Sequence, residues 1–218
     1  MLVDVFHDTV CPWCRIGKRH LADALAGWDG PPVTVRYHPF FLDPAVPPEG
    51  VDFRAYMARN KGGEASLAPL FEGARRAGAA AGLTFHFDRI RYATNTLLSH
   101  RLIALAPEGH KDAVVDGIYR AYFEDGRDIG DLDTLVAIAA EAGLDAAETA
   151  ELLRGDAARD EVLAEAAWAR EAGISGVPLF IVDGALALSG AQPPEALLEA
   201  LRRAAALRRE APAAGRAG

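Results

Sequence analysis

Short apolar runs separated by turn residues stand at both ends of the chain, whereas its middle is rich in Ala and Leu. Residues 2–7 form an apolar run with β-branched members, which predicts a strand, and residues 33–38 alternate with period two, as a half-buried strand does. Residues 12–25 have helical character, and residues 29–32 supply turn residues. The beginning of the chain therefore predicts a β-α-β unit.

The middle of the chain is predicted to be almost entirely helical, because good helix formers dominate it. A proline-rich stretch, residues 43–50, precedes it and indicates a crossing between domains. Gly82, Gly143 and Gly173 each follow an Ala-rich run, where helices commonly end in a left-handed residue. The predicted helices cover residues 53–61, 64–81, 94–106, 111–124, 132–142, 146–153 and 157–171.

The strand pattern returns near the end of the chain. Residues 179–182 and 185–188 are predicted to pair through a hairpin turn at Asp183-Gly184, and a last helix begins at Pro193-Pro194. This layout predicts an α/β fold with a discontinuous first domain and a helical insertion. The predicted boundaries are residues 1–45 and 173–209 for the first domain, 46–172 for the insertion and 210–218 for a flexible tail.

Composition narrows the class of protein. Half of the residues are apolar and a quarter are charged, which is typical of a globular protein and excludes a disordered chain. The formal charge is −8, whereas nucleic-acid binders usually carry a basic excess. No apolar run approaches the roughly 20 residues that span a bilayer, and the first residues lack the features of a signal peptide. We therefore expect a cytoplasmic protein with no nucleic-acid or membrane partner.

The two cysteines stand in Cys11-Pro12-Trp13-Cys14, between the first predicted strand and helix. Free N–H groups and the helix dipole stabilise a thiolate at a helix N-terminus, and Pro12 suits the first helical position. Cys14 follows one turn later, close enough to attack a mixed disulfide on Cys11. Such chemistry calls for an exposed, low-pKa nucleophile followed by a more buried resolving thiol. The spacing therefore predicts a redox pair.

Three other interpretations of the cysteine pair stay open. A structural disulfide closing so short a loop would constrain the unfolded chain little. A zinc site completed by His7, His20 or His38 is a second possibility, but strong zinc signatures carry a second Cys pair or a spaced His pair, so we expect no metal. The third is a chance motif at a helix start. The strand-to-helix context favours the redox interpretation.

Gly176-Val177-Pro178 lies directly before the returning strand. Proline is tolerated at the start of a strand, so a plain boundary residue is one interpretation. The other is a cis-proline loop that faces the two sulfurs and offers backbone hydrogen bonds to a substrate, although only about 5% of X–Pro bonds in folded proteins are cis. The β-α beginning with its cysteine pair and the β-β-α ending favour the cis-proline loop.

A set of motifs in a specific order extends over nearly the whole chain. These motifs, in residues 8–18, 39–42, 47–50, 87–89, 95–101, 122–129, 173–178 and 189–195, resemble the DsbA-like thiol–disulfide oxidoreductases, specifically the FrnE subfamily. The resemblance implies a thioredoxin fold with an α-helical domain inserted after the second strand. It also implies that Cys11 attacks, Cys14 resolves, Pro178 is the cis-proline and Val177 tunes the site.

Relatives of that subfamily supply the alternative functions. Kappa-class glutathione transferases and 2-hydroxychromene-2-carboxylate isomerases usually carry serine at the position of Cys11 and activate glutathione. Both cysteines are present here, which argues against that role, but a glutathione-dependent isomerase or transferase stays an alternative. A client-binding chaperone module is another.

Supporting residues carry weaker signals. His7 could assist proton transfer because it titrates near neutral pH, or be a packing or hydrogen-bonded surface histidine. Asn95 could contact a peptide or glutathione backbone, or cap a helix. Trp13 could belong to the substrate surface or cover the second sulfur, and Asp88 could pair with Arg101.

Together these features predict a cytoplasmic dithiol–disulfide oxidoreductase that acts on protein or small-molecule disulfides. It needs no cofactor beyond its own redox-active disulfide, with glutathione as a possible co-substrate. The sequence leaves a monomer and a homodimer equally open.

Overall fold

The first elements form the predicted β-α-β unit. A computed structural model describes residues 1–210 and gives strand β1 (Leu2–His7), helix α1 (Pro12–Ala26) and strand β2 (Thr34–Pro39). The two strands pair in parallel, with Leu2 opposite Thr34 and His7 opposite Pro39. Cys11 is the N-cap of α1, so the β-α junction places the cysteine pair at the carboxyl end of β1.

The long segment between β2 and the returning strands is helical, as predicted. It contains β3 (Val51–Asp52), α2 (Phe53–Asn60), a 3-10 turn (Glu64–Ser66), α3 (Leu67–Ala80), β4 (Tyr92–Ala93), α4 (Leu97–Leu105), α5 (Glu108–Arg120), a π-helical turn (Ala121–Asp125), α6 (Leu132–Glu141), α7 (Ala146–Arg154) and α8 (Arg159–Glu171). Gly82, Gly143 and Gly173 have φ angles of 71°, 87° and 86°, which confirms them as left-handed residues after helix ends.

The end of the chain completes the sheet. Strand β5 (Leu179–Val182) pairs antiparallel with β1 and with β6 (Leu186–Ser189), and α9 (Pro194–Glu210) follows. Asp183 and Gly184 both have positive φ, as the predicted hairpin turn requires. The four-stranded order β2-β1-β5-β6, with a helical segment after β2, confirms the thioredoxin fold with a helical insertion.

Two large buried clusters account for most of the packing, and a small third one joins Phe41 to Val162 and Ala166 of α8. One lies between the sheet and helices α1 and α9 and contains Val5, Phe180 and Leu201. The larger cluster fills the helical segment with aromatic and aliphatic side chains, and it extends to Cys11 and Cys14. The cysteine pair therefore lies where the sheet meets the helical segment.

The structure differs from the predicted elements in three places. β3 and β4 pair as a two-stranded ribbon that the sequence did not predict, because two-residue strands have no periodicity to detect. The helix predicted over residues 111–124 starts earlier, at Glu108, and ends in the π-helical turn. The helix predicted from residue 94 begins at Leu97. Residues 211–218 of the predicted tail lie outside the described residues.

Candidate active site

Cys11 is held at the N-terminus of α1. Its carbonyl accepts hydrogen bonds from the backbone N–H groups of Cys14 (3.0 Å) and Arg15 (3.2 Å), and its Sγ accepts one from the Cys14 N–H (3.3 Å). Pro12 is the first residue of the helix, as predicted. Both cysteines are free thiols. Because an N–H group and the positive end of the helix dipole point at the Cys11 sulfur, this position stabilises a thiolate.

Cys11 and Cys14 are both buried. Their exposed fractions are 4% and 2%, so the expectation of an exposed nucleophile is wrong. Burial raises the pKa of the Cys14 thiol well above its usual value, the neighbouring Cys11 raises it further, and a backbone hydrogen bond from Asp8 opposes these effects. Cys14 is therefore a protonated thiol at neutral pH, and a substrate reaches Cys11 only through a cavity.

The loop before β5 faces the Cys11 sulfur. The Val177–Pro178 peptide bond is cis, and the Cys11 thiol lies 3.9 Å from the Val177 carbonyl oxygen, to which it donates a weak hydrogen bond. Helix α1 lies close to this loop at Gly17, where an added Cβ would be 3.1 Å from Pro178 Cγ and 2.9 Å from the Phe180 ring. Gly17 thus allows the close contact that sets the loop beside the sulfur.

A cavity of about 340 Å³ opens beside Cys11, and we call it the chamber. Its rim carries the exposed side chains of Trp13, Leu42 and Leu70, which are 44%, 49% and 41% accessible. The other chamber-lining residues include a buried set that forms the floor: Phe53, Ala74, Phe87, Ala93, Tyr122 and Phe123. Most of the chamber therefore comes from the helical insertion, whereas Cys11, Pro12 and Val177 close it on the side of the sheet.

The π-helical turn shapes the chamber floor. It carries Tyr122 and Phe123, and it ends at Gly126, whose φ is 70°. A Cβ at Gly126 would lie 2.6 Å from the Arg89 carbonyl oxygen, so only glycine fits there. Single π-helical turns within α-helices occur frequently at functional sites, which agrees with this position beside the cysteines.

A group of buried polar residues lies behind the cysteines. The carboxylate of Asp8 is 1% accessible, and its Oδ2 accepts a hydrogen bond of 2.7 Å from the Leu42 N–H. Its Oδ1 lies 3.5 Å from Nε2 of the buried His100, and neither atom has a hydrogen-bond partner among the described residues. No local sequence pattern indicated a role for Asp8 or His100, although Asp8 stands only three residues before Cys11.

His7 is a packed, hydrogen-bonded histidine, as one of its two interpretations predicted, but it is not at the surface. It is not a surface residue, because its side chain is fully buried and its Nδ1 lies 2.7 Å from the Tyr119 hydroxyl. Burial lowers the pKa of His7 well below its usual value, and the nearby His100, His38 and Lys18 lower it further. His7 is therefore a neutral imidazole at physiological pH and does not titrate near neutrality.

Asn95 and Trp13 lie in different parts of the structure, Asn95 at the start of α4 and Trp13 on the chamber rim. Asn95 Oδ1 accepts the N–H of Leu97 (3.0 Å), the first residue of α4, and its Nδ2 donates to the Val46 carbonyl (2.6 Å). Thr96 is the N-cap of α4, so Asn95 is not the capping residue itself, although it binds the first N–H of the helix, and it does not line the chamber. Trp13 lies on the chamber rim, where it forms part of the accessible surface.

The predicted pair of Asp88 and Arg101 does not form. Asp88 pairs with Arg75 (3.4 Å), and Arg101 donates to backbone carbonyls at the end of α7 and in the turn that follows it. Over residues 1–210, no group of three or more His, Cys, Asp or Glu side chains is placed to hold a metal ion. Within the same range no helix combines the length and apolar character needed to cross a membrane.

Comparisons with solved structures show the fold. A 2-hydroxychromene-2-carboxylate isomerase superimposes with a TM-score of 0.72 and 19% identity, over 96% of this chain and 98% of that protein. The cytosolic disulfide reductase DsbM from Pseudomonas aeruginosa superimposes with a TM-score of 0.67 and 22% identity, over 95% of this chain and 100% of its own. DsbM has also been solved with GSH, and that structure gives a TM-score of 0.60 and 20% identity, over 96% of this chain and 98% of its own.

Nearer relatives show the family. A probable DsbA oxidoreductase from Streptomyces coelicolor is 34% identical and superimposes with a TM-score of 0.85, over 94% of this chain and 90% of that protein. The uncharacterized protein YwbO of Bacillus subtilis (strain 168) is 29% identical over 184 residues, which are 83% of this chain and 86% of that protein. The profile of the DSBA-like thioredoxin domain matches residues 2–202. With the Cys11–Cys14 pair at its β-α junction, this chain belongs to the DSBA-like thioredoxin domain family.

Proposed function

We propose that this protein is a cytoplasmic dithiol–disulfide oxidoreductase that uses Cys11 and Cys14. One observation carries the proposal. The Cys11 sulfur is held at the N-terminus of α1 by the Cys14 N–H, it faces the cis Val177–Pro178 bond, and it opens into the chamber. These groups supply a stabilised thiolate, a backbone beside it and room for a substrate.

In the first step the Cys11 thiolate attacks one sulfur of a substrate disulfide. A mixed disulfide forms between Cys11 and one half of the substrate, and the other half leaves as a thiolate that takes a proton from solvent. Val177, which lines the chamber and is joined to Pro178 by the cis bond, holds the substrate beside the sulfur, and Pro12 and Trp13 border its entry.

In the second step Cys14 loses its proton and attacks the Cys11 sulfur. The Cys11–Cys14 disulfide forms and the second half of the substrate leaves as a thiol, so the substrate gains the two electrons that the enzyme loses. Two molecules of a monothiol such as glutathione, or one dithiol, then restore both cysteines. Run in reverse, the same steps donate a disulfide.

Asp8 is the group placed to accept the Cys14 proton. Cys14 is buried, so its thiol needs a base within the protein. The charge of Asp8 is one of the causes that raise the pKa of Cys14, and its Oδ1 has no hydrogen-bond partner among the described residues. The nearby His100 Nε2 lies 3.5 Å from that oxygen. Asn95 and the neutral His7 then have structural roles.

The similarity to DsbM supports two parts of the proposal, glutathione as a co-substrate and the cytoplasmic location. DsbM, which shares the fold, is a cytosolic reductase and has been solved with GSH. This supports glutathione as a co-substrate and a cytoplasmic location here, and membership of the FrnE subfamily is compatible with both. Protein disulfides and small-molecule disulfides are both candidate substrates, and the assembly is a monomer or a homodimer.

Trapping experiments on the two cysteines test this function. The Cys14→Ser variant should accumulate a mixed disulfide on Cys11 that mass spectrometry detects, and the Cys11→Ser variant should not react. The wild-type pair should show a two-electron transition between about −120 and −270 mV in a glutathione titration.

Three outcomes would contradict the function. Full disulfide reduction by Cys11→Ser would exclude the mechanism, and thiols that stay free at every potential would exclude a redox pair. Glutathione-dependent turnover that survives replacement of both cysteines would instead support the isomerase or transferase alternative. The double variant also tests the chaperone alternative, for which suppression of client aggregation should not change.

A further inference from the structure

We infer that the preferred substrate is a small-molecule disulfide whose neutral, apolar and preferably aromatic substituent occupies the chamber while its sulfur meets Cys11. This inference rests on the proposed function, because it names the substrate class of the same site. It selects one of the two substrate classes that the function leaves open.

Access to the sulfur limits the size of the substrate. Cys11 is only 4% accessible and lies in the chamber wall, so the disulfide of a folded protein cannot approach it without inserting chain into the chamber. The volume of about 340 Å³ lies at the lower end of the range for small-molecule sites, roughly 300–1,000 Å³. A compact substituent of one or two rings matches this space.

The chamber walls are aromatic. Phe71 stacks between Phe53 and Phe87, with ring centroids 5.8 Å and 4.7 Å apart and interplanar angles of 17° and 15°. All three rings line the chamber, as do Met57 and Ala74. Such surfaces bind apolar rings through burial of apolar area and through contacts between ring faces and edges.

Most hydroxyl groups of the chamber are already engaged. The Tyr56 hydroxyl donates to Asp43 (2.8 Å), Thr94 donates to Asp128 (2.7 Å), and Tyr122 donates to the Tyr92 carbonyl (3.2 Å). A polar substituent would therefore lose water without gaining these hydroxyls as hydrogen-bond donors, which disfavours the entry of groups that need donors.

Charge disfavours glutathione disulfide relative to a neutral substrate. The charged side chains that line the chamber are those of Asp8, Asp43 and Lys61, two acids and one base. Each glutathionyl group carries two carboxylates and one ammonium, so its net charge is negative. The charged side chains of the chamber also sum to a negative charge, so the two repel each other. A neutral ring avoids this repulsion and the cost of desolvating charges.

The rim extends the apolar surface outward. Trp13, Leu42 and Leu70 are each more than two-fifths exposed although they are large and apolar, and all three border the chamber. Exposed apolar side chains that surround a pocket mark ligand-binding sites more often than scattered ones do. The second half of the disulfide can rest against this rim while the first half lies inside.

The test compares three disulfides with the reduced protein in single turnovers. Dibenzyl disulfide, hydroxyethyl disulfide and glutathione disulfide are each mixed with the protein, and each rate is divided by that of the same disulfide with dithiothreitol to remove intrinsic reactivity. Each reaction yields two thiols and the Cys11–Cys14 disulfide, so atoms and electrons balance. We expect the normalised rate for dibenzyl disulfide to exceed the other two by about tenfold or more.

Chamber variants tie the preference to the site. Ala74→Leu fills the floor and should lower the dibenzyl rate about tenfold, a larger decrease than the one it causes in the hydroxyethyl rate. Ala79→Leu makes the same change on the exposed face of the same helix and should alter neither rate. Met57→Ala widens the chamber, so it should raise the rate for a naphthylmethyl disulfide even if Ala74→Leu fails to fold.

The outcomes separate this inference from the proposed function. Equal normalised rates for the three disulfides would overturn the inference while the redox function stands. So would a dibenzyl rate that a folded Ala74→Leu leaves unchanged, or a naphthylmethyl rate that Met57→Ala leaves unchanged. Reaction with an unfolded protein disulfide but with none of the small molecules would also overturn it. If no disulfide oxidises the wild-type pair, the proposed function itself fails.

Discussion

Replacing Asp8 with Asn should separate the two steps of disulfide exchange. The amide keeps an oxygen that can accept the Leu42 N–H, a bond of 2.7 Å in the structure, so the loop before α1 keeps its anchor. What the variant loses is a base next to Cys14, which is 2% accessible and whose pKa burial raises well above the usual value. Attack by Cys11 needs no such base, because the N-terminus of α1 stabilises its thiolate.

The size of the effect follows from the role of the base. A positioned general base contributes about 10²- to 10⁴-fold to a proton-transfer step, so we expect Asp8→Asn to slow resolution by Cys14 at least about 100-fold at neutral pH. Hydroxide or buffer must then remove the Cys14 proton. The resolving rate of the variant should therefore rise about tenfold per pH unit in alkaline solution, whereas that of the wild type rises less.

A chromogenic dipyridyl disulfide reports both steps in one stopped-flow trace. The first thiol released marks attack by Cys11 and the second marks resolution by Cys14, so Asp8→Asn should slow only the second phase. Asp43→Asn is the matched control, because it removes the same charge from the chamber lining while leaving Asp8 in place. A second phase in Asp8→Asn with the wild-type rate and pH dependence would refute the assignment, as would an equal effect of Asp43→Asn.

Two further predictions concern stability, one within the helical insertion and one at the contact between β2 and α8. Arg101 is 5% accessible and donates four hydrogen bonds to backbone carbonyls around the end of α7. Arg101→Met should therefore lower the free energy of unfolding by about 3 to 5 kcal/mol in urea titrations. The exposed Arg202→Met is the control and should change it by less than about 0.5 kcal/mol. His38 lies between Asp4 (2.8 Å) and Glu165 (2.5 Å); burial opposes its charge, but hydrogen bonds to both carboxylates outweigh burial and raise its pKa. The contribution of His38 to stability is therefore complete below the unfolded-state pKa of about 6.5 and is lost as pH rises through the higher folded-state pKa. The difference in the free energy of unfolding between wild type and His38→Gln should shrink from pH 6 to pH 9. A difference that grows over this range would contradict this linkage.

Local chemistry explains which elements the sequence could predict. The period-two alternation, the Asp183-Gly184 turn and the glycines that end helices each act within a few residues, so their patterns predicted β2, the hairpin and the helix ends. The cysteine pair was equally visible, because a helix N-terminus provides the chemistry of the thiolate through its nearest N–H groups. Local signals do not fix a helix boundary to the residue, so the predicted and observed starts of helices such as α4 differ by a few residues.

Long-range packing explains what the sequence could not predict. The burial of Cys11 depends on chamber walls such as Phe53 and Phe87, which come from distant parts of the insertion. Asp8 and His100 are 92 positions apart, yet they meet at 3.5 Å, and neither residue type carries a local signal of such a pair. The neutral state of His7 likewise follows from complete burial, which no neighbouring residue reveals.

The structure joins the chemistry of the sulfurs to the shape of the chamber through ion pairs between two helices. Helix α1 carries both cysteines, and its Arg15 and Lys18 pair with Asp116 of α5. The chain of α5 continues directly into the π-helical turn that supplies the chamber floor. These ion pairs therefore hold the Cys11 sulfur in position relative to the chamber floor. The sulfur is attached to the start of α1, and the floor is attached to the end of α5. A substituent that fills the chamber is then held at a fixed distance from the nucleophile, so binding and orientation come from one contact surface.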